Sequence, residues 1–193
     1  NTVPDENYVT LSNRTFKSLV PSTEYFGMKV TAYYNDDNDE IYAIEQDPIN
    51  QVVTVKAQDV IDYKNNTLVA DVNGKEKTYK AAGSLSFIEN GRLIAHTDAD
   101  FKFSHGNIKL IDNDGDRLFE YALAEKYEYY VISGINDITK TIYDKNSSIG
   151  AISFDSEENG YDKRHELVNL SGGDYEFEML KEGDVLSIMR SDD

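Results

Sequence analysis

The chain has 193 residues, with 19 Lys and Arg against 36 Asp and Glu, so its formal net charge is −17. That balance excludes tracking along nucleic-acid phosphates and docking on an anionic membrane surface, both of which need clustered Lys and Arg. Cysteine is absent, which excludes disulfides, thiol catalysis and Cys-based zinc sites, while 14 Tyr and 8 Phe supply enough apolar surface for a core.

In chain order, the first ordered signal is one turn of helix at Ser22-Thr23-Glu24-Tyr25-Phe26, with Gly27 as its stop. Met28 to Tyr34 follows, with β-branched and aromatic residues in near-alternation. The polar turn Asn35 to Asp39 then leads into Glu40 to Glu45, a hairpin pattern. Gln51 to Val55 reads as a further strand. Thr67 to Val72 and Lys77 to Lys80 flank Asn73-Gly74, while Leu85 to Ile88 and Arg92 to Ile94 flank Asn90-Gly91. Asn-Gly is the strongest short hairpin signal, because both residues adopt positive φ readily. Later strands are expected at Ile108 to Ile111, Leu118 to Ala124, Tyr127 to Ile132, Thr139 to Tyr143 and Asp184 to Met189.

Short strands with turns between them predict an all-β chain of two small barrel-like or sandwich modules, SH3-like or OB-like, over residues 1–105 and 106–193. Phe26 to Val30 and Leu180 to Ile188 each place a turn before an apolar strand, as such barrels do. No apolar run approaches the ~20 residues of a membrane-spanning helix. A chain that opens at Asn1 without Met is expected to be a processed product or a fragment of something longer.

The sharpest local motif is Asp112-Asn113-Asp114-Gly115-Asp116-Arg117-Leu118-Phe119-Glu120. Acids at its first, third, fifth and ninth positions suit a hard cation, since a tight loop can converge their oxygens on one Ca²⁺. The candidate metal ligands are therefore Asp112, Asp114, Asp116 and Glu120, and Ca²⁺ is the one cofactor expected. The spacing resembles the calcium loops of integrin-type β-propeller repeats more than an EF-hand, whose Gly stands sixth and Glu twelfth. The alternative is a polar hairpin turn, for which Asp, Asn and Gly are the ordinary residues. A second acidic turn, Asp36-Asp37-Asn38-Asp39, carries less of this pattern.

No catalytic residue is selected. His96, His105 and His165 are the only histidines and none has a metal-ligand spacing. Neither a Gly-x-Ser-x-Gly elbow nor a Gly-rich phosphate loop occurs. Tyr33, Tyr34, Tyr42, Tyr121, Tyr127, Tyr129, Tyr130 and Tyr143 fall in expected strands. An exposed strip of them could stack on sugar rings, but core and rim positions are the expected role.

Four segments occur in order: Tyr25 to Tyr34, Asn50 to Val55, Gly106 to Asp116 and Leu180 to Ser187. Together they resemble the non-catalytic β-rich regions of S-layer-homology cell-surface proteins of clostridia and related Firmicutes, over most of residues 22–190. In those regions the Asp-Asn-Asp-Gly-Asp segment is followed by Gly and ends in Asp, where this chain has Arg117 and Glu120. The resemblance implies a non-enzymatic structural, adhesion or spacer module on the surface of a Gram-positive bacterium. Its partners would be cell-wall polymers or other surface proteins, with no nucleic acid and no direct membrane insertion. A phage tail or baseplate component and a carbohydrate-binding module are the alternatives.

Overall fold

The structure, a computed structural model, describes residues 8–146, 149–154, 157–158, 161–162, 167–168, 173 and 175–190. Strands take 56% of the described residues and short helical turns 8%, with no helix of seven residues or more. The chain is all-β, and its curled sheets form half-barrels. It divides into two compact units, residues 1–126 with 189–193, and residues 127–188.

The larger unit holds two sheets. In the first, β1 (Tyr8–Leu11), β2 (Arg14–Ser18), β3 (Val30–Asn35) and β4 (Glu40–Gln46) lie in the order β1-β2-β4-β3. Both hairpins are antiparallel, and β2 meets β4 in parallel through Lys17↔Glu40 and Ser18↔Ile41. The second sheet contains β5 (Gln51–Lys56), β6 (Val60–Lys64), β7 (Thr67–Asp71), β8 (Glu76–Glu89), β9 (Arg92–Ile94), β10 (Gly106–Asp112) and β11 (Leu118–Lys126). Its order is β5-β10-β11-β8-β7-β6, with β9 added on β8.

The expected one-turn helix is present as a 3-10 turn over Thr23–Tyr25. Gly27 ends it at φ +79, and a Cβ there would lie 3.0 Å from the Tyr121 ring, so the position suits only glycine. Lys77 to Lys80 and Leu85 to Ile88, expected as separate strands, are parts of the single β8. Its first half pairs with β7 and its end with β9, while β11 runs parallel to both halves along the other edge. The ladder with β11 breaks at a register shift, jumping from Phe119↔Ala81 to Tyr121↔Ser86, so the low-propensity Ala82-Gly83-Ser84 stretch is held in the strand by the paired segments before and after it.

The expected division after residue 105 falls inside the larger unit. β10 is paired on both edges there, through Ile108↔Val55 on β5 and Ile108↔Ala124 on β11, so no domain boundary can precede it. The break observed lies instead after Lys126.

Alternation on these strands builds the core: Val55, Leu68, Phe87, Ile108, Leu110, Phe119 and Ala122 are all buried. A 3-10 turn at Asp98–Phe101 adds Phe101, which stacks on Tyr63 at 3.7 Å and meets Phe87 edge-on at 4.8 Å. Asp100 holds that turn by accepting from the Thr97 N–H at 2.6 Å, and the bond lowers the Asp100 carboxyl below its ordinary range.

In the smaller unit, β12 (Glu128–Asn136), β13 (Thr141–Asp144), β14 (Ala151–Ser153) and β17 (Val185–Ile188) form a sheet in the order β14-β13-β12-β17. β15 (Glu157–Glu158) and β16 (Tyr161–Asp162) form a separate antiparallel pair. Tyr130, Ile132, Ile142 and Leu180 make its buried core. The Tyr130 hydroxyl shares its one proton between the carbonyls of Ile142 and Gly150, each at 2.9 Å. Burial, with Asp144 adding to it, pushes this phenol from its ordinary 10 up to about 12. A raised folded-state value means the contribution of Tyr130 is intact below pH 10 and is lost as pH rises through about 12. Tyr130→Phe should therefore cost about 1–3 kcal/mol at neutral pH by removing the one buried donor that these two carbonyls share. In denaturant titrations the difference from wild type should shrink toward pH 12.

Asn90 closes the larger unit. Its side-chain oxygen accepts from the Lys126 N–H at 2.8 Å, and its amide donates to the carbonyls of Lys126 at 3.3 Å and Arg190 at 2.7 Å. One side chain thus ties the last strand to the returning C-terminal segment. Asn90→Asp would set a carboxylate oxygen against two carbonyls and should cost about 1–3 kcal/mol. The matching change in the exposed Asn73-Gly74 turn should stay within about 0.5 kcal/mol. Thermal unfolding of both variants checks the contrast.

Candidate metal centre

β10 and β11 pair in strict register up to Ile111↔Tyr121. The next step of that register sets Asp112 opposite Glu120 at the mouth of the hairpin. Asp112 pairs with Gln51 on β5, and only 5% of the residue is exposed.

The loop then folds around this carboxylate. One Asp112 oxygen accepts from the N–H groups of Asp114 at 3.2 Å and Gly115 at 2.6 Å, and the other from that of Arg117 at 2.9 Å. Asp114 accepts from the Asp116 N–H at 3.0 Å, and Asp116 from the Leu118 N–H at 2.7 Å. Glu120 accepts from the Asn113 N–H at 2.9 Å. These bonds use the known preference of Asp for its own backbone two residues on. Gly115 at φ +82 and Arg117 at φ +72 complete the reversal. Glycine is required at 115 a second time, because a Cβ there would come within 2.8 Å of Ile49.

All four expected ligands are therefore brought together, each offering one carboxylate oxygen within 4.8 Å of the others. Asp114 and Asp116 each keep a second oxygen that accepts no hydrogen bond among the described residues. An all-oxygen, multiply anionic set of this kind matches what a hard divalent cation requires. Among the described residues no lysine or arginine pairs with any of the four. The other acidic turn differs here: the Arg14 guanidinium pairs with both Asp36, at 3.0 Å, and Asp39. That turn has a counter-charge from within the chain at two of its three acids.

Within the first cluster the Glu120 carboxyl is raised above its ordinary value. Burial is the main cause, with the charges of Asp114 and Asp112 adding to it and the Asn113 bond opposing it. A raised folded-state value means that stability is highest where Glu120 is protonated and falls as pH rises through the ordinary carboxylate range. Without a cation, Glu120→Gln should therefore unfold at a higher temperature than wild type at pH 7, and the gain should vanish in acid. The glutamine oxygen can still accept from Asn113, so this scan reads the cost of holding a charge at this buried position, desolvation first and repulsion second.

Asn113, which was not expected to matter, is the piece that docks the loop. Its side-chain amide donates to the Gly27 carbonyl at 3.0 Å, joining the loop to the turn before β3. The only sequence signal for it is its place inside the Asp-Asn-Asp-Gly run. Of the histidines, His96 packs between Phe87 and Phe101 at 5.6 and 5.7 Å, an aromatic role. His165 lies outside the described residues. The expected strand tyrosines divide: Tyr130 is fully buried, whereas Tyr33, Tyr34, Tyr42, Tyr129 and Tyr143 are exposed. No protein-family model, curated protein or solved structure matches this chain.

Proposed function

We propose that this chain is a non-enzymatic structural module of a Gram-positive cell-surface protein, a spacer whose β10–β11 hairpin is stiffened by Ca²⁺. The observation that supports it most is the convergence of Asp112, Asp114, Asp116 and Glu120 without an internal cation. A Ca²⁺ ion there would remove the mutual repulsion and clamp the connection between two strands at the centre of the larger sheet. The resemblance to β-rich regions of S-layer-homology proteins supplies the setting, in which calcium is available and the partners are wall polymers or other surface proteins. The net charge of −17 favours divalent counter-ions in such a place.

Thermal unfolding in Ca²⁺ against EDTA tests this. Ligand at a hundredfold excess over its Kd stabilises by about 2.7 kcal/mol, which moves the midpoint of a chain this size by several degrees. Wild type should show that shift and Asp114→Ala should not. Equal midpoints for wild type in both conditions would overturn the calcium site. Co-sedimentation with purified Gram-positive cell walls tests the partner, and failure to sediment would remove wall polymers from the reading.

A further inference from the structure

The solvent face of the first sheet carries an aromatic pair whose exposure the fold does not require. β3 and β4 pair as Thr31↔Glu45, Ala32↔Ile44 and Tyr33↔Ala43, then shift so that Tyr34 meets Ile41. Tyr42 is the extra residue of that bulge, and Tyr42 and Ala43 together oppose Tyr33. A bulge of this type turns the extra side chain toward the same face as its partner. Consequently Tyr33 and Tyr42 stand side by side with ring centroids 6.4 Å apart and planes 39° apart. They are 40% and 56% exposed, while Ile41 on the opposite face is fully buried. Beside them, the Tyr33 hydroxyl donates to Glu45 at 3.2 Å, and that bond raises the phenol above its ordinary range. β3 is the edge strand of its sheet, so the pair is open on one side.

From this we infer that Tyr33, Tyr42 and Glu45 form a binding platform for a neutral pyranose polysaccharide. The chemistry of the three groups selects that occupant. Two electron-rich ring faces attract C–H groups, which a pyranose presents on its flat faces. The Glu45 carboxylate only accepts hydrogen bonds, which suits a ligand rich in hydroxyl donors. The same carboxylate, in a chain of charge −17, repels polyanions such as nucleic acid or a phosphodiester wall polymer. A ring spacing of 6.4 Å with a modest twist suits two successive sugars of one chain rather than a single ring between them. The inference deepens the wall-polymer reading, on which it rests for its setting, by naming the polymer class and the residues that take it. It uses none of the acidic-loop residues.

Saturation-transfer NMR on the full 193-residue chain with cellohexaose and with the N-acetylglucosamine hexamer is the test. Wild type should transfer saturation to the sugar C–H protons of at least one of them. Tyr42→Ala should weaken binding about tenfold, the size of one lost aromatic contact, with an unchanged unfolding midpoint because Tyr42 is exposed. Tyr42→Phe should keep it. No transfer from either sugar to wild type would overturn the platform, as would binding that Tyr42→Ala and Tyr33→Ala both leave intact. Retention on cell walls without sugar binding would overturn this inference alone and leave the wall-polymer reading standing.

Discussion

The buried Asp112 carboxylate accepts three backbone N–H groups at the end of β10, and the reversal into β11 is built around it. A tight turn leaves donors that its own backbone cannot satisfy, and a carboxylate with two free oxygens can gather them at one point. Much of the larger unit hangs on the hairpin this makes possible. β10 passes the pairing on to β5, and β11 passes it in parallel to the long β8, which carries β7 and β9. The smaller unit repeats the device: Asp144, also buried, ends β13 and accepts from the N–H groups of Asn146 at 3.1 Å and Ile149 at 3.3 Å.

That arrangement concentrates charge. Once Asp112 is committed to the turn, Asp114 and Asp116 follow at the alternate positions where Asp best caps the next N–H, and Glu120 faces Asp112 across the ladder. The acids are thus placed by turn chemistry, and their closeness is its by-product. No lysine or arginine among the described residues relieves this closeness at the first turn, whereas Arg14 relieves it at Asp36 and Asp39. The same residue types at two turns consequently have different electrostatics, and a distant arginine decides the difference.

Tyrosine placement follows a similar logic. Tyr130 earns full burial because two carbonyls receive its hydroxyl, so the polar end is satisfied inside the core. Tyr33 and Tyr42 face water because a one-residue shift in the ladder turns both to the same side. Composition treats these residues alike, and strand register separates them.

The sequence by itself determines the all-β class, the hairpins at Asn73-Gly74 and Asn90-Gly91, and the acidic loop as a strand connection. Each depends on residues close together in the chain, where alternation and turn chemistry leave a local mark. Convergence of Asp112, Asp114, Asp116 and Glu120 was legible for the same reason, since all four lie within one hairpin. Only the tertiary structure decided the break after Lys126, the unbroken course of β8, and the parallel pairings Ser18↔Ile41 and Phe87↔Ala122. It also decided the Asn90 tie to Arg190 and the docking of Asn113 on Gly27. Contacts between residues so far apart depend on which strands meet, and nothing in the local pattern of either partner records the other.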